Sequence, residues 1–448
     1  MRAIKFPIKH LAFLLLVLVG STSMCLYWSR ITDAGPAKSA SSSVLKPKPL
    51  SDFYPRWYGA RELLIHHRDP YGDAVNREIQ MAFYGKELDP SLPEDRQDQQ
   101  RFAYPLYFVF FVAPMVGMEF HTARIVFWWV LAVCAAVNVL LWLRFLRLRL
   151  SPLALAALFA LALTSIPVIQ DLSILQPLLL AACFIAGASA AAVSGNLFLA
   201  GALLAVATIK PQICLFPIAW FALWVCSDWK QRRSLFWGFT ITLATLLLAS
   251  ECLLPGWVIR YPSVLRAYAE YTKATSFLGT LLPSPWDWLV KILVLITVAE
   301  FCWRVRRQPA DSPAFAVAVS LVLMLTVTVV PAMVQPFNQI LLLPAVLVVI
   351  RNWKELWQGN VVMRVATSIF CFCASLPWLL AVVAVSKPLA RDRNWLLHFW
   401  SVPLAASMAL PFAAFGVLIL LRKVASMPPS QLSAAGLESS PAASEGRP

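Results

Sequence analysis

Residues 124–143 read RIVFWWVLAVCAAVNVLLWL, twenty positions with a single charge, at the first residue. As an α-helix this stretch is about 30 Å long, which matches the hydrocarbon thickness of a bilayer. It is followed at 144–149 by RFLRLR, and clustered arginines of this kind mark the cytoplasmic end of a span. We therefore predict a membrane-spanning helix that ends in the cytoplasm.

The rest of the chain repeats this pattern. Of its 448 residues, 59% are hydrophobic and 14% are charged, against about 25% charged in soluble domains. We predict an all-α polytopic membrane protein, a bundle of about 12 transmembrane helices with a large first extracytoplasmic loop and a re-entrant or interfacial helix. Beyond the first span, the predicted spans lie near 124–143, 153–168, 172–192, 196–209, 212–226, 235–254, 286–303, 313–333, 337–350, 364–386 and 398–421.

The net charge of +15 does not indicate a nucleic-acid partner, because the basic residues form short clusters between apolar runs. If 104–118 is a re-entrant or interfacial helix, every cluster and both termini fall in the cytoplasm. We therefore predict a multi-pass protein of the plasma (inner) membrane. The clusters are Arg144, Arg147 and Arg149; Lys230, Arg232 and Arg233; Arg304, Arg306 and Arg307; and Arg422 and Lys423.

Four regions follow from these patterns. Residues 1–28 form a cytoplasmic segment and a first transmembrane helix, for which a cleaved signal peptide is the alternative. Residues 29–120 form the extracytoplasmic loop with its interfacial helix, and 29–103 hold 11 of the 23 acidic residues. Residues 121–423 form the multi-span domain. Residues 424–448, rich in Ser, Ala and Pro, form a disordered cytoplasmic tail.

The outer loop contains the stretch SDFYPRWYGARELLIHHRDPYG at 51–72. Its aromatic residues are typical of a membrane interface. Asp69, in Asp-Pro-Tyr-Gly, predicts a turn. Glu62, with Arg61 and Arg68, predicts a solvated helix face.

These residues resemble the first outer loop of glycosyltransferase family 87, and further motifs follow in the family's order over about 50–350. Leu106 replaces the second proline of the family's Tyr-Pro-Pro, and Leu175 replaces the glycine of its Gly-Gln step. The motifs are the Asp52-Phe53 pair with the aromatics and Asp-Pro-Tyr turn after it, Phe102-Ala103-Tyr104-Pro105, Ile174-Leu175-Gln176, Gly201 to Lys210-Pro211, and Pro336-Phe337-Asn338-Gln339 before Leu343-Pro344.

The resemblance implies a GT-C enzyme that takes a sugar, mannose or a pentose, from a polyprenyl-phosphate donor. The acceptor would be an extracytoplasmic glycan, lipid or protein, and inversion is the implied outcome. Asp52 is implied as the general base, since the reaction needs a carboxylate for the acceptor hydroxyl and cations for the departing phosphate. We expect membrane lipids as partners, and no cofactor or metal. The predicted substrate- and phosphate-binding residues are Arg56, Tyr58, Arg101, Lys210 and Gln176.

Alternatives remain open at this stage. Asp52 could cap the helix that follows it, and Lys210 could extend to the membrane interface. Gln176 and Gln339 could join helices by hydrogen bonds. We leave Asp171 and Glu251, near predicted outer ends of spans, out of the predicted site. The chain could instead be a transporter or flippase of a lipid-linked sugar, or a non-catalytic partner in envelope assembly. The predicted mid-span segments are nearly free of charge and the acids are concentrated in an outer loop, which favours chemistry at the interface over transport.

Overall fold

The computed structural model describes residues 8–33, 50–89, 92, 99–272, 275–386 and 401–425. Part of the predicted extracytoplasmic loop and nearly all of the predicted tail lie outside them. Every regular element in the described ranges is a helix, which confirms the all-α class.

Twenty α-helices are described. The loop before α5 adds 3-10 turns at Leu106–Phe108 and Ala113–Met115, and a third lies at Pro336–Leu342. The α-helices are α1 (Ile8–Asp33), α2 (Phe53–His66), α3 (Asp73–Tyr84), α4 (Val109–Val112), α5 (Phe120–Phe145), α6 (Pro152–Leu163), α7 (Ile166–Ile174), α8 (Leu178–Val193), α9 (Leu197–Ala207), α10 (Pro211–Ser227), α11 (Trp229–Leu253), α12 (Trp257–Thr272), α13 (Phe277–Leu281), α14 (Trp286–Val305), α15 (Pro313–Val329), α16 (Leu343–Arg351), α17 (Trp353–Gln358), α18 (Val361–Ser386), α19 (Ser401–Ser407) and α20 (Leu410–Ala425).

Among the described residues, five helical stretches are long and apolar enough to cross a membrane, and a bent pair makes a sixth. The other apolar helices have 10–17 residues. The protein is therefore a membrane protein with several spanning helices. The five stretches are Ala12–Arg30, Phe120–Phe145, Trp229–Leu253, Val361–Ser386 and Val402–Arg422.

The bent pair differs from the sequence prediction. We predicted spans at 153–168 and 172–192, but α6 ends at Leu163 and α7 continues after a bend of 49°. The hydroxyls of Thr164 and Ser165 donate to carbonyls of the preceding turn, and Pro167 is the second residue of the next helix. A second break at Leu175 separates α7 from α8. Only short polar steps within the apolar sequence indicate these two breaks.

The first helix is longer than predicted, continuing to Asp33 rather than ending near residue 28. It packs against α18, where Met24 and Tyr27 are buried beside Ala381 and Ala384. This packing fits a retained helix.

The segment between Leu106 and Met115 is broken into short helical turns. Ten helical residues extend about 15 Å, so this segment is too short to cross a bilayer by itself. It lies beneath α2, and the indole Nε1 of Trp57 donates to the carbonyl of Met115 at 3.0 Å. On α2, Phe53 stacks on Phe127 of α5 with ring centroids 4.1 Å apart, so the outer loop is held against the bundle.

Close packing of α9 on α11 positions the chain that leads into the site. A Cβ atom added to Gly201 would lie 2.0 Å from the carbonyl oxygen of Leu235, and one added to Gly238 would lie 2.1 Å from that of Phe198. Only glycine allows this approach at either position. Three residues after α9 ends, Lys210 precedes Pro211 at the start of α10.

Candidate functional site

Asp52 lies immediately before α2, where the outer loop meets the break between α7 and α8. Its backbone N–H donates to the carbonyl of Ile174 at 3.0 Å. Its side chain makes no capping hydrogen bond with α2; instead Oδ2 accepts one from Nε2 of Gln176. The capping alternative therefore does not describe this carboxylate.

Gln176 is presented by a sharp turn at the end of α7. Leu175 has a φ of 58° and a ψ of 52°, the left-handed conformation that glycine adopts at little cost. The N–H of Gln176 donates to the carbonyl of Asp171 at 3.2 Å. The position at which Leu175 replaces the family's glycine is thus one whose backbone conformation favours glycine.

Tyr104 fixes the orientation of the Gln176 amide. Its hydroxyl donates to Oε1 of Gln176 at 3.1 Å, so that Nε2 is directed to Asp52. Burial raises the pKa of the Tyr104 hydroxyl, which therefore stays protonated and able to donate. The chain Tyr104–Gln176–Asp52 links three separate segments of sequence.

Arg56 lies one helical turn after Asp52 and on the same face of α2. It is only 7% exposed, and its guanidinium carbon lies 4.8 Å from the centre of the Tyr104 ring. Its Nε atom has no hydrogen-bond partner among the described residues. Asp52 is near enough to interact electrostatically with this cation.

Lys210 brings a second buried cation to the same place. It is 4% exposed, and its Nζ lies 5.2 Å from the centre of the Phe337 ring. A lysine that extends to the membrane interface would keep its ammonium exposed, so burial argues against that alternative. Asp171, Arg56 and Asp52 lie within electrostatic range of Lys210.

Asp171 is the acidic residue that our sequence prediction left out. It is fully buried, and no hydrogen bond of ordinary geometry reaches either carboxylate oxygen from the described residues, although the backbone N–H of Leu179 lies near it. A buried carboxylate without partners is costly and marks a position where function outweighs stability. Its place five residues before Gln176, on the helix that ends at the turn, was the available signal.

Comparison with known families gives these residues a context. The model of glycosyltransferase family 87 matches residues 102–331, about half of the chain. The chain belongs to glycosyltransferase family 87. It is therefore a membrane glycosyltransferase, which requires a sugar donor and an acceptor. A search of the curated proteins and one of the solved structures returned no match.

The matched part of this family 87 enzyme includes Tyr104, Asp171, Gln176 and Lys210. Asp52 and Arg56 precede it along the chain, and Phe337 follows it. These residues form one cluster, which joins residues inside the family match to residues beyond both of its ends. Its members are Asp52, Arg56, Tyr104, Asp171, Gln176, Lys210 and Phe337.

Two predicted site residues lie elsewhere in the family 87 chain. The hydroxyl of Tyr58 donates to Oε2 of Glu78 at 2.7 Å, which places it in an ion network of the outer loop. Arg101 is half-buried beside Phe102 and Ala103, in a small recess formed with α12. The contacts described for Tyr58 are with this ion network, and Arg101 lines this recess.

The ion network corrects our prediction for Glu62, which is 4% exposed rather than solvated. Arg68 donates to Oε2 of Glu62 at 2.7 Å and to Oε1 of Glu78 at 2.6 Å. Asp69 forms the predicted turn, accepting from the N–H of Tyr71 at 2.9 Å, and also pairs with Arg260 of α12 at 2.6 Å. These contacts stabilise the outer loop around the cluster.

Glu251, the other acid left out of the predicted site, has a structural contact. Glu251 accepts a hydrogen bond from the N–H of Gly256 and stabilises the turn before α12. Within the described ranges, no group of three or more His, Cys, Asp or Glu side chains is arranged to hold a metal ion. The cluster therefore offers one half-buried carboxylate beside two cations and a second, fully buried carboxylate.

Proposed function

We propose that this family 87 enzyme transfers a sugar from a polyprenyl-phosphate donor to an acceptor outside the cytoplasm, with Asp52 as general base. The observation that carries the proposal is the association of the Asp52 carboxylate with two buried cations, Arg56 and Lys210. A carboxylate removes a proton, and buried cations stabilise a phosphate. We infer mannose or a pentose as the sugar, from the family resemblance.

The reaction divides between these groups. Asp52 accepts the proton of the acceptor hydroxyl while the acceptor oxygen forms a bond to the anomeric carbon. The bond between that carbon and the phosphate oxygen breaks, and the electron pair leaves with the polyprenyl phosphate. Arg56 and Lys210 stabilise the negative charge that develops on this phosphate. With a single half-buried carboxylate, direct displacement and inversion follow.

The hydrogen bond from Gln176 suits the role of Asp52. An amide donor stabilises the ionised carboxylate and holds it in one orientation. The other oxygen, Oδ1, remains for the acceptor hydroxyl. Because the donor lipid stays in the bilayer while a polar acceptor arrives from water, the base must lie at their boundary.

The topology completes the proposal. We infer about 12 spans in a GT-C arrangement, with the shorter apolar helices also embedded, both termini cytoplasmic, and the cluster at the outer face of the plasma membrane. Cysteine-accessibility labelling of Asp52→Cys and Arg147→Cys tests this arrangement. We expect labelling from outside for the first and from the cytoplasm for the second.

The activity is tested with purified protein in proteoliposomes. We supply a radiolabelled polyprenyl-phosphate sugar with membrane extract as acceptor, and in parallel the matching nucleotide sugar. Transfer from the lipid donor alone is the expected result. Movement of the label across the membrane without transfer would support the flippase alternative, and transfer from the nucleotide sugar alone would contradict the proposed donor.

A further inference from the structure

A cavity lies inside the helical bundle, next to the cluster but separate from it. Its volume is about 280 Å³, and α1, α5, α6, α7, α16 and α18 all contribute to its wall. The lining is almost entirely apolar, with side chains such as Leu158, Ala162 and Val346. Apolar cavities stay empty of water and accept apolar ligands.

Two amide side chains interrupt the apolar wall. Oδ1 of Asn138 and Oε1 of Gln339 have no hydrogen-bond partner among the described residues. In a packed interior such groups are nearly always paired. Their presence beside an unfilled volume indicates a binding space rather than a packing fault.

The cavity and the cluster share two walls. On α7, Val168 lines the cavity and Asp171, one turn later, lies within electrostatic range of Lys210. On the 3-10 segment Pro336–Leu342, Gln339 lines the cavity, while the ring of Phe337 contacts Lys210. The N–H of Phe337 donates to Oε1 of Gln170 at 2.8 Å, which joins the two walls. A ligand whose charged end meets Lys210 therefore has its apolar part beside this cavity.

The cavity also reaches the outer surface of the bundle. Ile350, one of its lining residues, is 44% exposed. The opening at Ile350 gives a hydrocarbon chain a path into the cavity if this face of the bundle meets lipid.

We propose that this cavity holds the first part of the hydrocarbon chain of the lipid-phosphate donor. The inference rests on the proposed function, because the phosphate at Lys210 and Arg56 determines which chain enters. At roughly 30 Å³ for each water-sized group, the volume accommodates about nine such groups, or about two isoprene units. The rest of a long chain lies in the bilayer.

Donors of different chain length test this assignment. For wild type, the KM should fall as the donor grows from one isoprene unit to about two or three, because each buried methylene adds several-fold to affinity. The KM should then change little, because longer chains extend beyond the cavity into the bilayer. Ala162→Phe fills the cavity, and it raises the KM for the long-chain donor about tenfold while changing that for the single-isoprene donor less than about twofold. Ala156→Phe, on an exposed position of the same helix, changes neither.

Equal effects of Ala162→Phe on both donors, or no effect in a folded variant, would overturn the assignment. Photolabelling of wild type gives a second test that needs neither the variant nor transferase activity. A benzophenone-bearing polyprenyl phosphate should label peptides of α6 and α18. A phosphatidic acid with the same photoreactive group should label them weakly.

Labelling of these peptides by both lipids alike would make the cavity a site for bulk phospholipid and overturn the inference. Labelling by the polyprenyl phosphate alone, with no sugar transfer from any lipid donor, would leave the chain-binding site standing while the proposed function fails. The two failures are therefore distinguishable.

Discussion

The side-chain amide of Gln176 donates a hydrogen bond to Oδ2 of Asp52, although the two residues lie 124 positions apart. Together with the backbone bond from Asp52 to Ile174, this contact attaches the outer loop to the break between α7 and α8. The position of the proposed base is therefore fixed by a turn within the membrane bundle. Changes in that turn should affect chemistry at Asp52.

The left-handed residue in this turn gives the first prediction. Leu175→Ala and Leu175→Gly both remove a buried side chain, but glycine adopts a φ of 58° without the cost of about 1 kcal/mol that a Cβ imposes. We expect the glycine variant to unfold at a higher temperature than the alanine variant and to retain more transfer activity. Thermal unfolding in detergent measures the order, and a more stable alanine variant would contradict the turn geometry.

The buried guanidinium of Arg56 gives the second prediction. Hydrogen bonds to charged groups contribute about 1.5–3 kcal/mol, so Arg56→Met should raise the KM for the lipid-phosphate donor about tenfold to a hundredfold. Arg61→Met is the matched control, since Arg61 is on the same helix and lies over the ring of Trp57. Steady-state kinetics with varied donor separate the two; an equal rise in both variants would remove Arg56 from the phosphate site.

Asp171 gives the third prediction. Its buried carboxylate acts through Lys210 in our account, by holding the ammonium where the donor phosphate arrives. We expect Asp171→Asn to raise the KM for the donor about tenfold while leaving the unfolding temperature unchanged or higher, because a buried charge without hydrogen bonds is costly.

The same substitution in a Lys210→Met background controls for an indirect effect. If Asp171 acts through Lys210, adding Asp171→Asn to Lys210→Met should change the KM little further. Fully additive effects, or an unchanged KM in the single variant, would show that Asp171 has no such role.

The ion network of the outer loop gives a prediction about pH. The hydrogen bond from Arg68 lowers the pKa of Glu78 below its ordinary value of 4.5. A depressed pKa contributes stability that is present above about pH 4.5 and lost as the pH falls through the lower folded value. Glu78→Gln should therefore unfold at a lower temperature than wild type at pH 7, by no more than about 2 °C because the pair is solvent-exposed.

The difference between wild type and Glu78→Gln should shrink as the pH falls below 4.5 and disappear at the low pH at which Glu78 itself becomes protonated. Glu87→Gln, at an exposed position of the same loop, provides the control and should match wild type at both pH values. A difference that persists at low pH would show that Glu78 acts by packing rather than by charge.

Much of the fold could be predicted from sequence, because a bilayer requires long apolar helices and the chain contains them. The position of helix breaks could not, since α6, α7 and α8 form a nearly continuous apolar run whose bends depend on Thr164, Ser165 and Leu175. The 26 residues of α5 and the 25 residues of α11 clearly indicated spanning helices, whereas several helices of 9–17 residues were merged or extended in the prediction.

Part of the candidate site could be predicted from sequence, because residues of several separate motifs lie close together in the structure. Asp52, Arg56, Gln176 and Lys210 come together, although their motifs lie far apart in the sequence. The sequence indicates residue type and depth for Tyr58 and Arg101, but it does not predict the hydrogen bond from Tyr58 to Glu78 or the recess that Arg101 lines. Asp171 could not be predicted, because an acid near the end of a span has little cost at the membrane interface, and only the structure shows that its carboxylate is fully buried without a hydrogen bond from the described residues.

The base assignment is tested most directly by sugar transfer from a polyprenyl-phosphate donor in wild type and Asp52→Asn, with Asp69→Asn as the control acid from the same loop. Removing a general base costs about 10²–10⁴-fold, so Asp52→Asn should lower kcat by that factor while its KM for the donor stays within about threefold. Asp69→Asn retains the turn and loses only the charge of a partly exposed ion pair with Arg260, so it should stay within about threefold of wild type. Transfer by Asp52→Asn at the wild-type rate would contradict the account.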